Sequence, residues 1–230
     1  MKISVAVAAL VSGIVVWWLI VRRLTARPWE TQGTTAGRES AGLLDPAPAR
    51  TGMWIFLAVL TSLFALFVTG YWMRMGHGAA QGVAPLDWRP VTEPRILWLN
   101  TALLVLGSVS MQWARHAADR GNAARTQVAW LAGGVFAAAF IVGQGLAWRQ
   151  LQAAGVYAAS NPANAAFYLL TGVHAAHLIG GLVAWLRTSL RMFRADSTVE
   201  SVRLAVELCT VYWHFLLLVW LILFGVLLKT

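Results

Sequence analysis

The sequence predicts an all-α integral membrane protein with six transmembrane helices. Three observations carry that class. Of 230 residues, 59% are hydrophobic and only 12% charged. The charges collect in short clusters between long apolar segments. Each segment is close to the ~20 residues that cross ~30 Å of hydrocarbon at about 1.5 Å per residue. A soluble globular domain is excluded on these grounds.

The six spans are Ile3 to Val21, Met53 to Trp72, Ile96 to Ala114, Val128 to Trp148, Ala165 to Leu186, and Leu208 to Leu228. The first has a thin basic start, Lys2, is followed by Arg22 and Arg23, and shows no A-x-A-like cleavage site before a polar mature start. It is expected to be a retained helix and not a removed signal peptide. Leu24 to Gly52 is rich in Gly, Ala, Pro, Thr and Arg, which is linker chemistry. The expected organisation is an extra N-terminal helix over 1–23, a cytoplasmic linker over 24–50, and a five-helix core over 51–230. No internal repeat is evident.

The net charge of +9 sits in loops beside the spans and forms no basic stripe interleaved with aromatics, so nucleic acid is not expected as a partner. Twelve of the eighteen basic residues lie in alternate loops: Arg22, Arg23, Arg27, Arg38 and Arg50, then Arg115, Arg120 and Arg125, then Arg187, Arg191, Arg194 and Arg203. The positive-inside rule makes those loops cytoplasmic and puts both termini on the opposite side. Of thirteen tryptophans, Trp17, Trp18, Trp54, Trp72, Trp98, Trp113, Trp130, Trp148 and Trp185 lie near span ends. They read as an interfacial aromatic belt. The single cysteine, Cys209, forms no intrachain disulfide and reads as a small packing residue.

Ionisable groups inside spans are costly and mark function. His174 and His177 lie in the fifth span and His214 in the sixth. In the fifth, Gly172, Ala176, Gly180 and Ala184 recur every four residues, a small-residue seam that admits a neighbouring backbone. His177 borders that seam, and His174 lies about 60° further round, beside Gly181 and Trp185. Both are expected to be neutral imidazoles bonded to another helix or to a lipid headgroup. They make an incomplete metal set, so no metal, catalytic or cofactor ligand is assigned. On the last helix Arg203, Glu207, Thr210 and His214 fall within about 60° of one another, as a polar stripe entering from the basic side. That stripe pairs with another helix, holds an anionic headgroup, or starts a proton path. Arg203 and Glu207 also have the i, i+4 spacing of an ion pair within the helix.

Phe167, Tyr168, Thr171, Gly172, His174 and His177 reproduce an FY-x-x-TG-x-H-x-x-H pattern, and Glu207 with Tyr212, Trp213, His214 and Phe215 reproduces E-x-x-x-x-YWHF. Gly52, Trp54, Phe56, Leu57, Ala58, Leu99, Asn100, Thr101 and Gln144 add to the agreement. In these residues the chain resembles subunit III of the heme-copper terminal oxidases, in a short five-helix form, from Thr51 to Leu228. The resemblance implies a non-catalytic subunit of an aerobic respiratory oxidase, most simply a cytochrome c oxidase of the bacterial cytoplasmic membrane. Hemes and copper are then expected in partner subunits, with catalytic subunit I and subunit II as partners and structural phospholipid in a helical cleft. Lipid or subunit contacts are expected at Trp54, His174, His177, Arg203, Glu207, Tyr212, Trp213 and His214. Relatives also serve quinol oxidases and nitric oxide reductases, and nothing in the chain selects the electron donor.

Two positions depart from the pattern. Val59 and Leu60 stand where the family often has Ser-Glu, and Leu217 replaces the Asp of WHF-x-D. Both changes remove acids that a proton relay would use. Two other classes remain in view: a b-type cytochrome clamping heme between His174 or His177 and His214, and a transporter whose path follows the Arg203 to His214 stripe.

Overall fold

The computed structural model describes residues 46–80, 95–160, 162–194 and 198–228. The expected first span and most of the linker lie outside the described residues. Five helices follow in chain order: α1 over Pro46–Ala80, α2 over Ile96–Asp119, α3 over Ala123–Ala153, α4 over Pro162–Met192 and α5 over Val199–Leu227. Each contains a stretch long and apolar enough to cross a membrane. The described residues are all-helical, without sheet. Every helix is longer than its apolar span, because hydropathy marks only the part that meets hydrocarbon. The helix ends are set by polar chemistry beyond it.

Those ends have identifiable causes. Pro162 opens α4 at the first helical position, where its missing N–H is not needed. Asn122 caps α3, its side chain accepting from the Arg125 N–H at 3.0 Å, and Thr198 caps α5 through the Ser201 N–H. Between α2 and α3 the chain reverses in a tight turn through Gly121, whose φ of 69° belongs to the left-handed region. α1 begins at Pro46, so Arg50 lies on its second turn, inside the stretch read as linker.

α2 and α3 form the most extensive helix pair. α5 packs against α2 and α4, α3 packs against α4, and α1 rests on α5. The core is aromatic and aliphatic, with Trp130, Trp213, Trp220, Phe140 and Phe167 essentially inaccessible. A smaller cluster of Phe64, Tyr71, Leu170, Val219, Leu223 and Val226 ties α1 to α4 and α5. Half of the apolar stretch of α5 is buried, against 17% of that of α1, so α5 is the central helix and α1 the peripheral one.

Two expectations are corrected here. Among the described residues the small-residue seam receives no helix: Ala176, Gly180 and Ala184 are exposed, and a Cβ at Gly180 would meet nothing there within 4 Å. The close approach is one residue on, at Gly181. A Cβ there would come within 2.8 Å of the Trp213 ring and 2.9 Å of the Tyr212 ring. The aromatic belt also loses three members. Trp130 is buried and donates to the Ser189 hydroxyl at 2.8 Å, Trp185 donates to the Trp130 carbonyl at 3.0 Å, and Trp148 donates to the Thr171 hydroxyl at 3.2 Å. These indoles join α3 to α4, and position near a span end did not reveal it. Trp98 and Trp113 remain exposed, as a belt requires.

Candidate functional site

The two signature segments interlock. Tyr212 donates its hydroxyl to the His177 carbonyl at 2.9 Å, and the Tyr212 and Trp213 rings lie over Gly181. His177 turns its own ring back along α4, donating from Nδ1 to the Val173 carbonyl at 2.8 Å. Its ring lies 5.3 Å from that of Phe64 on α1. Thr171 takes the Trp148 N–H and donates to the Phe167 carbonyl at 2.7 Å. The FY-x-x-TG and YWHF residues are therefore the α3–α4–α5 joint.

His174 sits inside that joint with no accessible surface. Rings from three other helices enclose it: Trp220 of α5 at 5.2 Å, Phe140 of α3 at 5.9 Å and Phe64 of α1 at 6.4 Å. Neither ring nitrogen has a hydrogen-bond partner among the described residues. Among the described residues no neighbouring helix offers the expected bond, because the helix faces around His174 present aromatic rings. Trp213 is equally buried, and its indole N–H likewise has no partner.

His214 has different surroundings. It lies exposed on the α5 side facing α2, where Nε2 meets the Gln112 Oε1 at 3.0 Å and Nδ1 meets the Ser108 hydroxyl. The amide oxygen can only accept, so Nε2 carries the proton and Nδ1 accepts from Ser108. Gln112 in turn donates to His116 Nε2 at 3.0 Å. Ser108, Gln112 and His116 are spaced by four and share one face of α2. They were missed in the sequence, where each is an isolated polar residue; the i, i+4, i+8 spacing was the available signal.

At one end of the bundle, charges from α1, α2 and α5 converge. Glu207 accepts from Arg50 at 2.7 Å and lies 3.6 Å from Arg115, while Arg203 pairs with Asp119 at 2.8 Å. The i, i+4 pair between Arg203 and Glu207 is not formed. Neighbouring helices bring better-placed partners to each, so the stripe on α5 is divided between two interhelical contacts. Trp54, with 66% of its surface exposed, stands on the open face of α1. Leu60 points into the core, whereas Val59 is exposed.

Between α1 and α5 runs an apolar cavity of about 220 Å³, lined by Thr61, Phe64 and Val68 on one wall and Phe215, Val219 and Ile222 on the other. Among the described residues no group of three or more His, Cys, Asp or Glu gathers as a metal set. The three span histidines face an aromatic box, the side of Phe64, and α2, so they do not form the opposed pair that a heme clamp needs.

The sequence model of the family described as cytochrome c oxidase subunit III matches residues 2–228. The chain belongs to the cytochrome c oxidase subunit III family. Its relatives include the cytochrome c oxidase subunit 3 of Corynebacterium diphtheriae, 28% identical over 82% of this chain and 91% of that protein. The probable cytochrome c oxidase subunit 3 of Mycobacterium leprae is 30% identical over 85% of this chain and 95% of that protein. The cytochrome c oxidase subunit 3 of Heterololigo bleekeri is 27% identical over 90% of this chain and 76% of that protein. Membership of the subunit III family implies a complex with other oxidase subunits, and five apolar helices suit an integral membrane subunit. The family match takes in the N-terminal apolar run as well as the five described helices.

Proposed function

We propose that this chain is a non-catalytic subunit of an aerobic respiratory cytochrome c oxidase, supporting the heme- and copper-bearing subunit I beside subunit II and holding phospholipid between α1 and α5. The observation that carries the lipid reading is the pairing of an apolar groove with a cationic end. Thr61 lies eleven residues along α1 from Arg50, or about 16 Å, close to half the hydrocarbon thickness. A phosphate near Arg50 and Arg115 therefore leaves an acyl chain alongside Phe64, Val68 and Phe215. Glu207 offsets only one of the two arginines, so the cluster keeps one positive charge for an anionic headgroup. Hemes and copper belong to the partner subunits. They supply electron transfer and O2 reduction there, while this chain's residues shape lipid and contact surfaces. The charge distribution over the loops supports a cytoplasmic location for the Arg50–Glu207 end and a non-cytoplasmic one for both termini.

The test is purification of the complex in mild detergent, with an absorption spectrum and mass identification of bound lipid. Heme-bearing oxidase subunits and phospholipid should co-purify with the wild-type chain. Ala65 also lines the groove, and Ala65→Trp, which fills it from α1, should lower the bound phospholipid per complex. Repeated recovery without a heme-bearing partner would defeat the subunit reading, and unchanged lipid in Ala65→Trp the groove reading.

A further inference from the structure

We propose that Ser108, His214, Gln112 and His116 act as one proton-controlled switch, in which protonation of His116 reverses every hydrogen bond of the row and moves the His214 proton from Nε2 to Nδ1. As the row stands, each member donates to the next toward the charged end. Ser108 gives to His214 Nδ1, His214 Nε2 gives to the Gln112 oxygen, and the Gln112 amide gives to His116 Nε2. His116 Nε2 is therefore an acceptor, and its single ring proton sits on Nδ1. An imidazolium has two donors and no acceptor, so this arrangement admits only a neutral His116.

A protonated His116 has an arrangement that keeps all three bonds. Gln112 turns its amide over, so that Oε1 accepts from His116 Nε2 and the amide N–H faces His214. His214 Nε2 then accepts, and its one proton belongs on Nδ1, donating to the Ser108 oxygen. The Ser108 hydroxyl swings to the Leu104 carbonyl four residues back, as those of Thr101, Ser110 and Thr210 already do. One proton is gained, taken from water by exposed His116. His214 releases its Nε2 proton and takes one at Nδ1, in exchange with water reaching the row at His116, and stays neutral.

The charges at this end favour Gln112 as the acceptor. They are Arg115, Asp119 and Arg120 of α2, Arg203 and Glu207 of α5, Arg125 of α3 and Arg50 of α1. Glu207 is engaged by Arg50 and Arg115, and Asp119 by Arg203. Both carboxylates are thus occupied, whereas Gln112 Oε1 needs only a rotation of its amide. Ser108 and His116 are eight residues apart, about 12 Å along α2. His214 is the sixteenth of the 29 residues of α5. A proton bound at the charged end is therefore felt at the middle of the bundle, as a change of hydrogen-bond direction without a shift of either helix.

The experiment is a titration of the full chain in phospholipid nanodiscs, with isotope-labelled histidine ring nitrogens read by NMR and assigned by single substitutions. Between about pH 8 and pH 5, where histidine changes charge, His116 should take up its second proton. At the same midpoint the His214 proton should pass from Nε2 to Nδ1 in most molecules. Gln112→Met and His116→Phe should each make the His214 form independent of pH, because the first cuts the row and the second removes its trigger. A His214 that stays unchanged while His116 titrates, or that takes a second proton itself, would overturn the switch. So would a His116 that takes up no proton, or a His214 change that survives Gln112→Met. If neither variant folds, coincidence of the two midpoints in the unmodified chain decides.

Discussion

His174 is a polar residue whose surroundings treat it as an aromatic one. A buried polar group without a hydrogen bond costs about 1–3 kcal/mol, whereas the three enclosing rings reward shape and dispersion. His174→Leu, apolar and of similar volume, should therefore stabilise the detergent-solubilised chain by about 1 kcal/mol, read as a rise in thermal midpoint. A fall would mean that the imidazole makes a bond in the folded subunit. His214 is the opposite case. His214→Phe removes bonds to both Ser108 and Gln112 and should cost about 1–2 kcal/mol in the same assay. Sequence alone picked out both residues, since a histidine inside a span is conspicuous. It could not tell them apart, because a helical wheel fixes angles on one helix and not which neighbour stands opposite. Ser108 and Phe140 decide the difference, and both lie far away in the chain.

Elements pack here through bulky side chains laid on glycine. Gly181→Ala should destabilise the bundle by roughly 1–3 kcal/mol, because the Cβ drives into the Tyr212 and Trp213 rings and forces α4 from α5. Gly180→Ala should be neutral or stabilising by up to about 1 kcal/mol, since its Cβ meets no other described residue and alanine favours helix. Unfolding of the two variants side by side checks the assignment, and equal losses would refute it. The four-residue spacing led to the wrong one of two adjacent glycines: small size is legible in sequence, but the rings that fill it come from another helix. Helix ends were legible afterwards in Asn122, Thr198 and Pro162, and hydropathy passed over them. α1 should prove the loosest element. It rests chiefly on α5, so amide exchange in detergent should be faster along α1 than along α2 or α3.

At the scale of the whole molecule, composition and segment length settled the membrane class, and two motifs in α4 and α5 were enough for the family. The motifs worked because their residues form the joint between helices, where Tyr212, Trp213, Gly181 and His177 constrain one another. The outward-facing row on α2 had no comparable signature. A purified chain by itself should show no visible absorption, and the assembled oxidase should carry the heme bands. A Soret band in the isolated chain would reopen the cytochrome reading.

The salt bridge between Arg50 and Glu207 joins residues 157 positions apart. Chains lengthen at about 5–20 residues per second, so α1 is made roughly 8–30 s before the carboxylate and the helix it leans on. The intervening α2 and α3, joined by the turn at Gly121, can pair at once. During synthesis α1 therefore waits in the bilayer for the last helix, and a nascent chain stalled before Val199 has only the α4 contacts of Phe64 and lacks the helix on which α1 chiefly rests.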